Sequence, residues 1–358
     1  MVIALGLTFG LTRLAHDPGV DEHRASCAER VAQLAPRARL AQRLMVGVDP
    51  TKPDAARAVV ADHGVGGVFI GGTATNLLRN DALAPMRAAS PLPVFVAVDE
   101  EGGRVQRIDE LDGPMPSARV MAQTMTPDQV HALAKRRAEQ LRARGVTLAM
   151  SPVLDMTSQP RGVIGDRSFG TDPAKVTEYA GAFAAGLRDA GMLPVFKHFP
   201  GHGRASGDSH TGAVTTPPLD ALRTSDLEPY RRLLPAGPSA VLLGHLNVPG
   251  LTGNDPATLS PAAYRLLRQE LGFNGLVFTD DLGAMKAVTD RYKLPDAVLA
   301  ALRAGADVAL WTSGDPVGPV LDRLQAAADA GQLPDSDQAT ARVLAAKGVC
   351  SPAEPDPS

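Results

Sequence analysis

The sequence predicts an α/β fold, a single (β/α)8 barrel of the TIM type. Eight short apolar runs alternate with Ala-rich amphipathic segments along most of the 358 residues. The runs are continuously apolar, as expected for parallel strands that are buried on both faces. No Gly-x-Gly-x-x-Gly fingerprint follows the first run, which disfavours a doubly wound open sheet. The length suits one barrel, since this fold takes about 250 residues or more.

Each predicted strand is a short apolar run such as LMVGV or PVFVAV, and in chain order the strands are 44–48, 65–70, 93–98, 145–154, 194–198, 240–246, 275–279 and 306–311. The amphipathic segments between them predict helices at 53–63, 76–88, 126–144, 172–190, 260–271, 294–304 and 315–331, with a shorter one near 223–234. Before the first strand, apolar residues recur at helical spacing, at Val31, Leu34, Leu40 and Leu44.

The chain contains no interdomain linker and no short internal repeat. We therefore divide it into an N-terminal extension or signal remnant (1–29), a barrel (30–348) and a disordered tail (349–358). Residues 1–11 resemble the apolar core of a signal peptide, but basic residues do not precede them and no A-x-A site follows. They are either part of an export signal that starts upstream of Met1 or a frayed terminus.

Composition excludes two classes of partner. The net charge is −3 and the pI is about 6.2, and no run of Lys and Arg occurs, so we expect no nucleic-acid binding. No segment reaches the roughly 18 to 20 apolar residues of a transmembrane span.

The two cysteines, Cys27 and Cys350, lie at opposite ends of the chain and lack metal-type spacing. In a closed barrel the segments before the first strand and after the last helix are neighbours, so the two thiols can form a disulfide. The alternative is two free thiols. A disulfide favours an extracytoplasmic location, secreted or in the cell envelope.

Charged residues follow five successive predicted strands, and chemistry in such barrels lies at these strand ends. The side chains Asp99, Arg107, Arg167, Lys197 and His198 have the directional donors and acceptors needed to bind sugar hydroxyls. Their alternative role is to close the barrel rim with salt bridges. His245 is a further candidate by its strand-end position alone.

Asp280 and Asp281 end the seventh predicted strand. Because adjacent strand residues point to opposite sides, only one of them can face the barrel mouth. We assign that position to Asp280, as a nucleophile or metal ligand, and expect Asp281 to cap the next helix.

A Gly-rich stretch follows the fifth strand and carries Asp208 and His210. A carboxylate two residues from an imidazole can orient it for proton transfer in both directions. The group His198, His202, Asp208 and His210 could alternatively bind a metal, but the first strand offers only Asp49 as a further ligand. No P-loop follows the glycine pairs, and we expect neither a metal nor a cofactor.

Together the motifs resemble glycoside hydrolase family 3, and within it the exported, lipoprotein-like branch of NagZ-type β-N-acetylglucosaminidases. The matching segments are Asp99–Arg107 (DEEGGRVQR), Ile164–Phe169 (IGDRSF), Lys197–Gly203 (KHFPGHG), Asp208–His210 (DSH) and Thr279–Leu282 (TDDL). The resemblance covers residues 36–347. Too little chain follows to form the second domain of the larger β-glucosidases.

The resemblance implies a retaining, metal-free mechanism in which Asp280 forms a glycosyl-enzyme and the pair His210–Asp208 is the acid/base. It implies that Asp99, Arg107, Arg167, Lys197 and His198 bind the N-acetylglucosamine ring. The expected activity is release of terminal non-reducing N-acetylglucosamine from peptidoglycan fragments in cell-wall turnover, by a monomer. The alternatives are a phosphorylase of the same glycosides, an inactive muropeptide-binding protein and a barrel metallohydrolase.

Overall fold

The computed structural model describes residues 25–333 and 336–351. Eight parallel strands form a closed barrel in the spatial order β1-β2-β3-β4-β5-β7-β9-β10. These are β1 Leu44–Val48, β2 Gly67–Ile70, β3 Phe95–Val98, β4 Leu148–Ala149, β5 Leu193–Phe199, β7 Ala240–Leu243, β9 Leu276–Asp281 and β10 Val308–Trp311. The barrel closes where β1 pairs with β10. The predicted (β/α)8 fold is confirmed, and each predicted strand contributes to the barrel.

Fifteen α-helices are found in the described ranges: α1 Cys27–Ala32, α2 Pro36–Ala41, α3 Pro53–His63, α4 Ala84–Arg87, α5 Asp109–Asp112, α6 Ala118–Thr124, α7 Pro127–Ala143, α8 Pro173–Asp189, α9 Leu219–Arg223, α10 Leu227–Leu233, α11 Pro261–Arg265, α12 Lys286–Thr289, α13 Leu294–Ala304, α14 Val317–Asp329 and α15 Ser336–Ala346. A π-helical stretch, Leu266–Glu270, extends α11. Two short strands, β6 Val214–Thr215 and β8 Leu246–Asn247, pair beside the barrel mouth.

The helix boundaries follow local chemistry. A capping box between Thr126 and Gln129 begins α7, and the Asp172 side chain caps α8. Gly64, with φ of 61°, ends α3 in the left-handed conformation that glycine adopts without a Cβ clash.

Two predicted helices differ from the structure, and one long observed helix was not predicted. The segment 76–88 forms only a 3₁₀ turn and the short α4, because Asn80 and Asp81 between them have positive φ. The helix near 223–234 is two helices, α9 and α10. Helix α15 is absent from the predicted set.

The barrel interior is filled by side chains and closed at its lower end by α15. The interior cluster includes Met45, Phe69, Phe95, Met150, Leu242, Phe278 and Leu310, and Val343 of α15 packs against it. A larger apolar layer lies between the strands and the outer helices. Side chains fill the interior, so the barrel is not a pore, and chemistry in this fold lies at the carboxyl ends of the strands.

The two ends of the described chain are joined. A disulfide bonds Cys27 to Cys350 across a Cα–Cα distance of 4.9 Å, and Cys27 N–H donates to the Ser351 carbonyl at 3.1 Å. Helix α1 packs against α15 at this point. The predicted signal remnant and disordered tail lie mostly outside the described residues. Within the described ranges, no helix is long and apolar enough to cross a membrane.

Candidate active site

A cavity of about 610 Å³ opens at the carboxyl ends of the barrel strands. Seven of the predicted site residues line it: Asp99, Arg107, Arg167, Lys197, His198, His210 and Asp280. The first five residues of this list lie on one side of the cavity. Asp99 and Arg107 follow β3, Arg167 ends the turn Gly165–Arg167, and Lys197 and His198 lie on β5. Asp280 enters from β9, and His210 comes from the Gly-rich segment 201–213, which we call the flap.

One wall of the cavity is a compact network of opposite charges. The Lys197 Nζ lies 2.6 Å from Asp99 Oδ1 and 2.5 Å from Glu101 Oε1. Arg167 forms a two-pronged pair with Glu101, with Nε–Oε2 and Nη2–Oε1 distances of 2.6 and 2.8 Å. Arg107 lies 3.8 Å from Asp99. The network holds donors and acceptors in fixed directions toward the cavity.

The network keeps Lys197 and Glu101 charged. Burial alone would lower the pKa of Lys197, but the carboxylates of Asp99 and Glu101 outweigh it and raise that pKa. Burial would likewise raise the pKa of Glu101, and the adjacent Arg167 and Lys197 instead hold it well below its ordinary value. Lys197, which lines the cavity, and its partner Glu101 are therefore ionic at neutral pH.

The buried carboxylate of Asp155 orients the His198 ring. The Asp155 Oδ2 atom lies 2.6 Å from His198 Nδ1, and its Oδ1 atom accepts the His202 backbone N–H at 2.6 Å. Burial opposes ionisation of Asp155, but His198 and His202 outweigh it and lower the pKa of that carboxyl. The ionised Asp155 accepts a hydrogen bond from the Nδ1–H group of His198. The Nε2 atom then faces Arg167, 3.5 Å away, and the cavity.

The adjacent aspartates at the end of β9 have separate roles. Asp280 lines the cavity, and its pKa is lowered because His198, His245 and the Asp281 N–H outweigh the effect of burial. Asp281 Oδ1 accepts the N–H groups of Gly283 and Ala284, and Oδ2 bonds the Thr312 hydroxyl. The expected helix cap is thus a cap of the turn after β9, since α12 begins only at Lys286.

The flap presents the His210–Asp208 pair to the cavity. The Asp208 Oδ1 atom lies 2.8 Å from His210 Nδ1 and accepts the His210 backbone N–H at 3.0 Å. Although burial opposes it, these contacts lower the pKa of Asp208. With Nδ1 held by the carboxylate, Nε2 is the ring atom available to exchange a proton with a ligand.

The structure does not bring His245, a predicted ligand-binding residue, to the cavity. His245 is 1% exposed and does not line the cavity. Its Nδ1 pairs with the Thr258 hydroxyl at 2.5 Å and its Nε2 with the Asp281 carbonyl at 2.9 Å. Both ring nitrogens are therefore occupied, and the Nε2 contact supports the end of β9 next to Asp280.

Sequence reasoning missed Glu101 and Asp155 as parts of the site. Both lie within a few residues after a barrel strand, Glu101 after β3 and Asp155 after β4, and this position is a signal that could have found them. His202 also lines the cavity, where burial is the main cause of its lowered pKa. Within the described ranges no group of three or more His, Cys, Asp or Glu side chains has the arrangement of a metal site.

The arrangement combines three chemical capacities. Asp280 is an ionised carboxylate at the end of β9, and His210 is an imidazole on the flap with Asp208 as its carboxylate partner. The charged wall is suited to binding hydroxyl groups. A carboxylate and a proton donor on the same cavity are the requirements for displacement at an acetal carbon with departure of an alcohol.

Known proteins share both the sequence and the fold. The beta-hexosaminidase LpqI of Mycobacterium tuberculosis is 54% identical over 336 residues, which is 90% of this chain and 86% of that protein. The solved structure of M. tuberculosis LpqI superimposes with a TM-score of 0.87 and covers 91% of this chain and 97% of its own. A β-N-acetylhexosaminidase from Beutenbergia cavernae, 29% identical, gives a TM-score of 0.80 over 88% of this chain and 99% of its own.

The family model described as the glycosyl hydrolase family 3 N terminal domain matches residues 31–346, which include the whole barrel and every residue that lines the cavity. The chain belongs to glycosyl hydrolase family 3.

Proposed function

We propose that this family 3 hydrolase is a retaining β-N-acetylhexosaminidase that removes terminal non-reducing N-acetylglucosamine from peptidoglycan fragments. The observation that carries the proposal is that Asp280 and the flap residue His210 line one cavity, opposite the charged wall of Asp99, Arg107, Arg167 and Lys197. The relatives named as hexosaminidases at up to 54% identity support the choice of sugar.

In the proposed mechanism, the Asp280 carboxylate attacks the anomeric carbon while His210 Nε2 gives its proton to the departing oxygen. The bond from carbon to the leaving oxygen breaks as the bond to Asp280 forms. His210 then takes a proton from water, which displaces Asp280 and restores both groups. Retaining glycosidases ordinarily use two carboxylates; here the carboxylate of Asp208 stabilises the imidazolium that forms in the second step.

The peptidoglycan substrate and an extracytoplasmic location are parts of the same proposal. The first follows from the resemblance to the NagZ-type branch. The Cys27–Cys350 disulfide supports the second, because such bonds persist in oxidising compartments.

The test is release of 4-nitrophenol from its N-acetyl-β-glucosaminide by the purified protein. We expect Asp280→Asn to lower kcat by at least about 10³-fold, because the amide cannot form the glycosyl-enzyme. Asp290→Asn makes the same charge change on an exposed side chain outside the cavity and should retain wild-type activity. Nuclear magnetic resonance should show the β-anomer as the first product.

Added phosphate and a chelator separate the alternatives in the same assay. Formation of N-acetylglucosamine 1-phosphate in place of the free sugar would indicate a phosphorylase. Loss of activity on chelation would indicate a metallohydrolase. No turnover, with retained binding of N-acetylglucosaminyl–N-acetylmuramyl fragments, would indicate a binding protein. Faster cleavage of those fragments than of chitobiose is the result that supports peptidoglycan as the substrate.

A further inference from the structure

We propose that Ser209 is a positioning residue that docks the flap onto the segment after β9 and so holds His210 over Asp280. The inference rests on the proposed retaining mechanism and adds to it a device that sets the distance between the two reacting groups. Ser209 lies between the members of the acid/base pair but, unlike them, turns away from solvent.

The first residues of the flap are tied to the barrel through the His202 N–H and Asp155, but the hydrogen bonds between residues 206 and 215 fix only the shape of the remainder and not the position of its tip, residues 207–212. At its base, Ser206 and Thr215 exchange backbone hydrogen bonds at 2.9 and 3.2 Å. At its tip, the N–H groups of Thr211 and Gly212 donate to the Asp208 carbonyl at 2.9 and 3.1 Å. These bonds would survive if the whole tip swung away from the cavity.

Ser209 supplies the contacts that join the tip to the barrel. It is 2% exposed, whereas the side chain of His210 beside it is 57% exposed. Its carbonyl accepts the Ala287 N–H at 3.1 Å, and its hydroxyl donates to Met285 Sδ at 3.5 Å. In the part of the chain that the structure describes, no other hydrogen bond links residues 207–212 to a distant segment.

The docking segment is itself fixed relative to Asp280. Asp281 holds the turn after β9 through the N–H groups of Gly283 and Ala284, at 2.9 and 3.1 Å. Met285 and Ala287 follow directly. The nucleophile and the acid/base are therefore connected by a short covalent turn and two hydrogen bonds, and Ser209 and Met285 both line the cavity beside them.

Loss of the dock should affect proton transfer more than nucleophilic attack. Asp280 is held by β9 and keeps its place without the flap, whereas His210 depends on the flap for its position. A displacement of about 1 Å can cost about 10²-fold in rate. The cost should appear only where the leaving group needs a proton, since an activated phenol departs without one.

The experiment compares Ser209→Ala, Met285→Leu and their combination on two N-acetyl-β-glucosaminides, one alkyl and one 2,4-dinitrophenyl. We expect Ser209→Ala to lower kcat/KM about tenfold for the alkyl glycoside and less than about twofold for the dinitrophenyl glycoside. The double variant should lose no more activity than the more impaired of the two single variants, because both substitutions remove the same Ser209–Met285 hydrogen bond. Ser206→Ala, which deletes a hydroxyl at the base of the same flap, is the matched control and should behave as wild type on both substrates.

A second measurement reports the dock directly. Amide hydrogen exchange at Ala287, whose N–H is the donor to Ser209, should become faster in Ser209→Ala. Unchanged exchange, unchanged kinetics or equal losses on both substrates would overturn the positioning role. His210→Ala is measured alongside. If it discriminates between the substrates and Ser209→Ala does not, the docking inference alone fails; if His210→Ala does not discriminate, the acid/base assignment fails.

Discussion

Glu100 and Glu101 are neighbours in sequence, both are buried, and their surroundings give them opposite acidities. Glu101 lies between Lys197 and Arg167, which hold its pKa well below the ordinary value despite burial. Burial dominates at Glu100 and raises its pKa to about 7, against the Arg107 N–H and the Arg137 guanidinium, 3.5 Å away. Glu101, which pairs with the cavity residues Lys197 and Arg167, is thus kept ionised, and Glu100, beside Arg137 of α7, can hold a proton.

The opposite pKa shifts of the two glutamates predict that each contributes to stability in a different pH range. The folded state binds a proton at Glu100 more tightly than the unfolded state does, so its contribution is complete below about pH 4.5 and is lost as pH rises through about 7. We expect the wild type to lose roughly 1–3 kcal/mol of unfolding free energy relative to Glu100→Gln between about pH 5 and about pH 8.

Glu101→Gln is the matched comparison for this measurement by urea denaturation. The pKa of Glu101 is depressed in the folded state, so the stability that Glu101 contributes is lost only as the pH falls through that low value. Glu101→Gln breaks a buried ion pair and should lower the unfolding free energy by roughly 3–5 kcal/mol at every pH between about 5 and about 8. Parallel pH curves for the wild type and Glu100→Gln would contradict the assignment of Glu100.

At this scale the sequence predicts which residues reach the barrel mouth better than it predicts their partners. Strand alternation predicts that only one of Asp280 and Asp281 faces the barrel mouth; in the structure both line the cavity, and they differ because the Asp281 carboxylate is used by Gly283, Ala284 and Thr312. The pairing of Asp155 with His198 depends on side chains from two different strands, and neither spacing nor composition contains that information. The same limit explains His245, because a strand-end position does not determine that its ring turns toward Thr258 and Asp281.

At the scale of elements, helix α15 closes the lower end of the barrel. Val343 is fully buried and packs with the side chains that fill the interior, whereas Ala346 on the same helix is exposed. The strands were predictable because a continuous apolar run has few alternatives in a parallel sheet. Helix α15 was not, because its apolar positions are mostly alanines and its burial comes from the barrel above it.

The position of α15 predicts that it contributes to stability and not to catalysis. Val343→Ala should lower the unfolding free energy by about 1–3 kcal/mol, because it leaves a cavity beneath the interior cluster. Ala346→Ser is the control on the exposed face and should change it by less than about 0.5 kcal/mol. Chemical denaturation measures both, and a change in KM for Val343→Ala in the folded protein would contradict the separation of the two ends.

At the scale of the whole molecule, the disulfide ties the first described helix to the last. Cys27 and Cys350 are 323 residues apart in sequence, and α15, which α1 contacts, lies at the end of the barrel opposite the cavity. A crosslink over so long a loop restricts the unfolded chain strongly, while the folded active site makes no contact with it. Stability and activity should therefore respond differently to its removal.

We expect Cys27→Ser/Cys350→Ser to unfold with roughly 2–4 kcal/mol less free energy than the wild type in guanidinium without reductant. Dithiothreitol should bring the wild type to the same value and leave the double variant unchanged. The kcat on the nitrophenyl substrate should be equal in all three samples, since the barrel mouth is intact. Thiol titration of the unfolded, non-reduced wild type should find no free thiol. Two titratable thiols per chain would instead support the alternative of unpaired cysteines and remove the basis for placing the protein in an oxidising compartment.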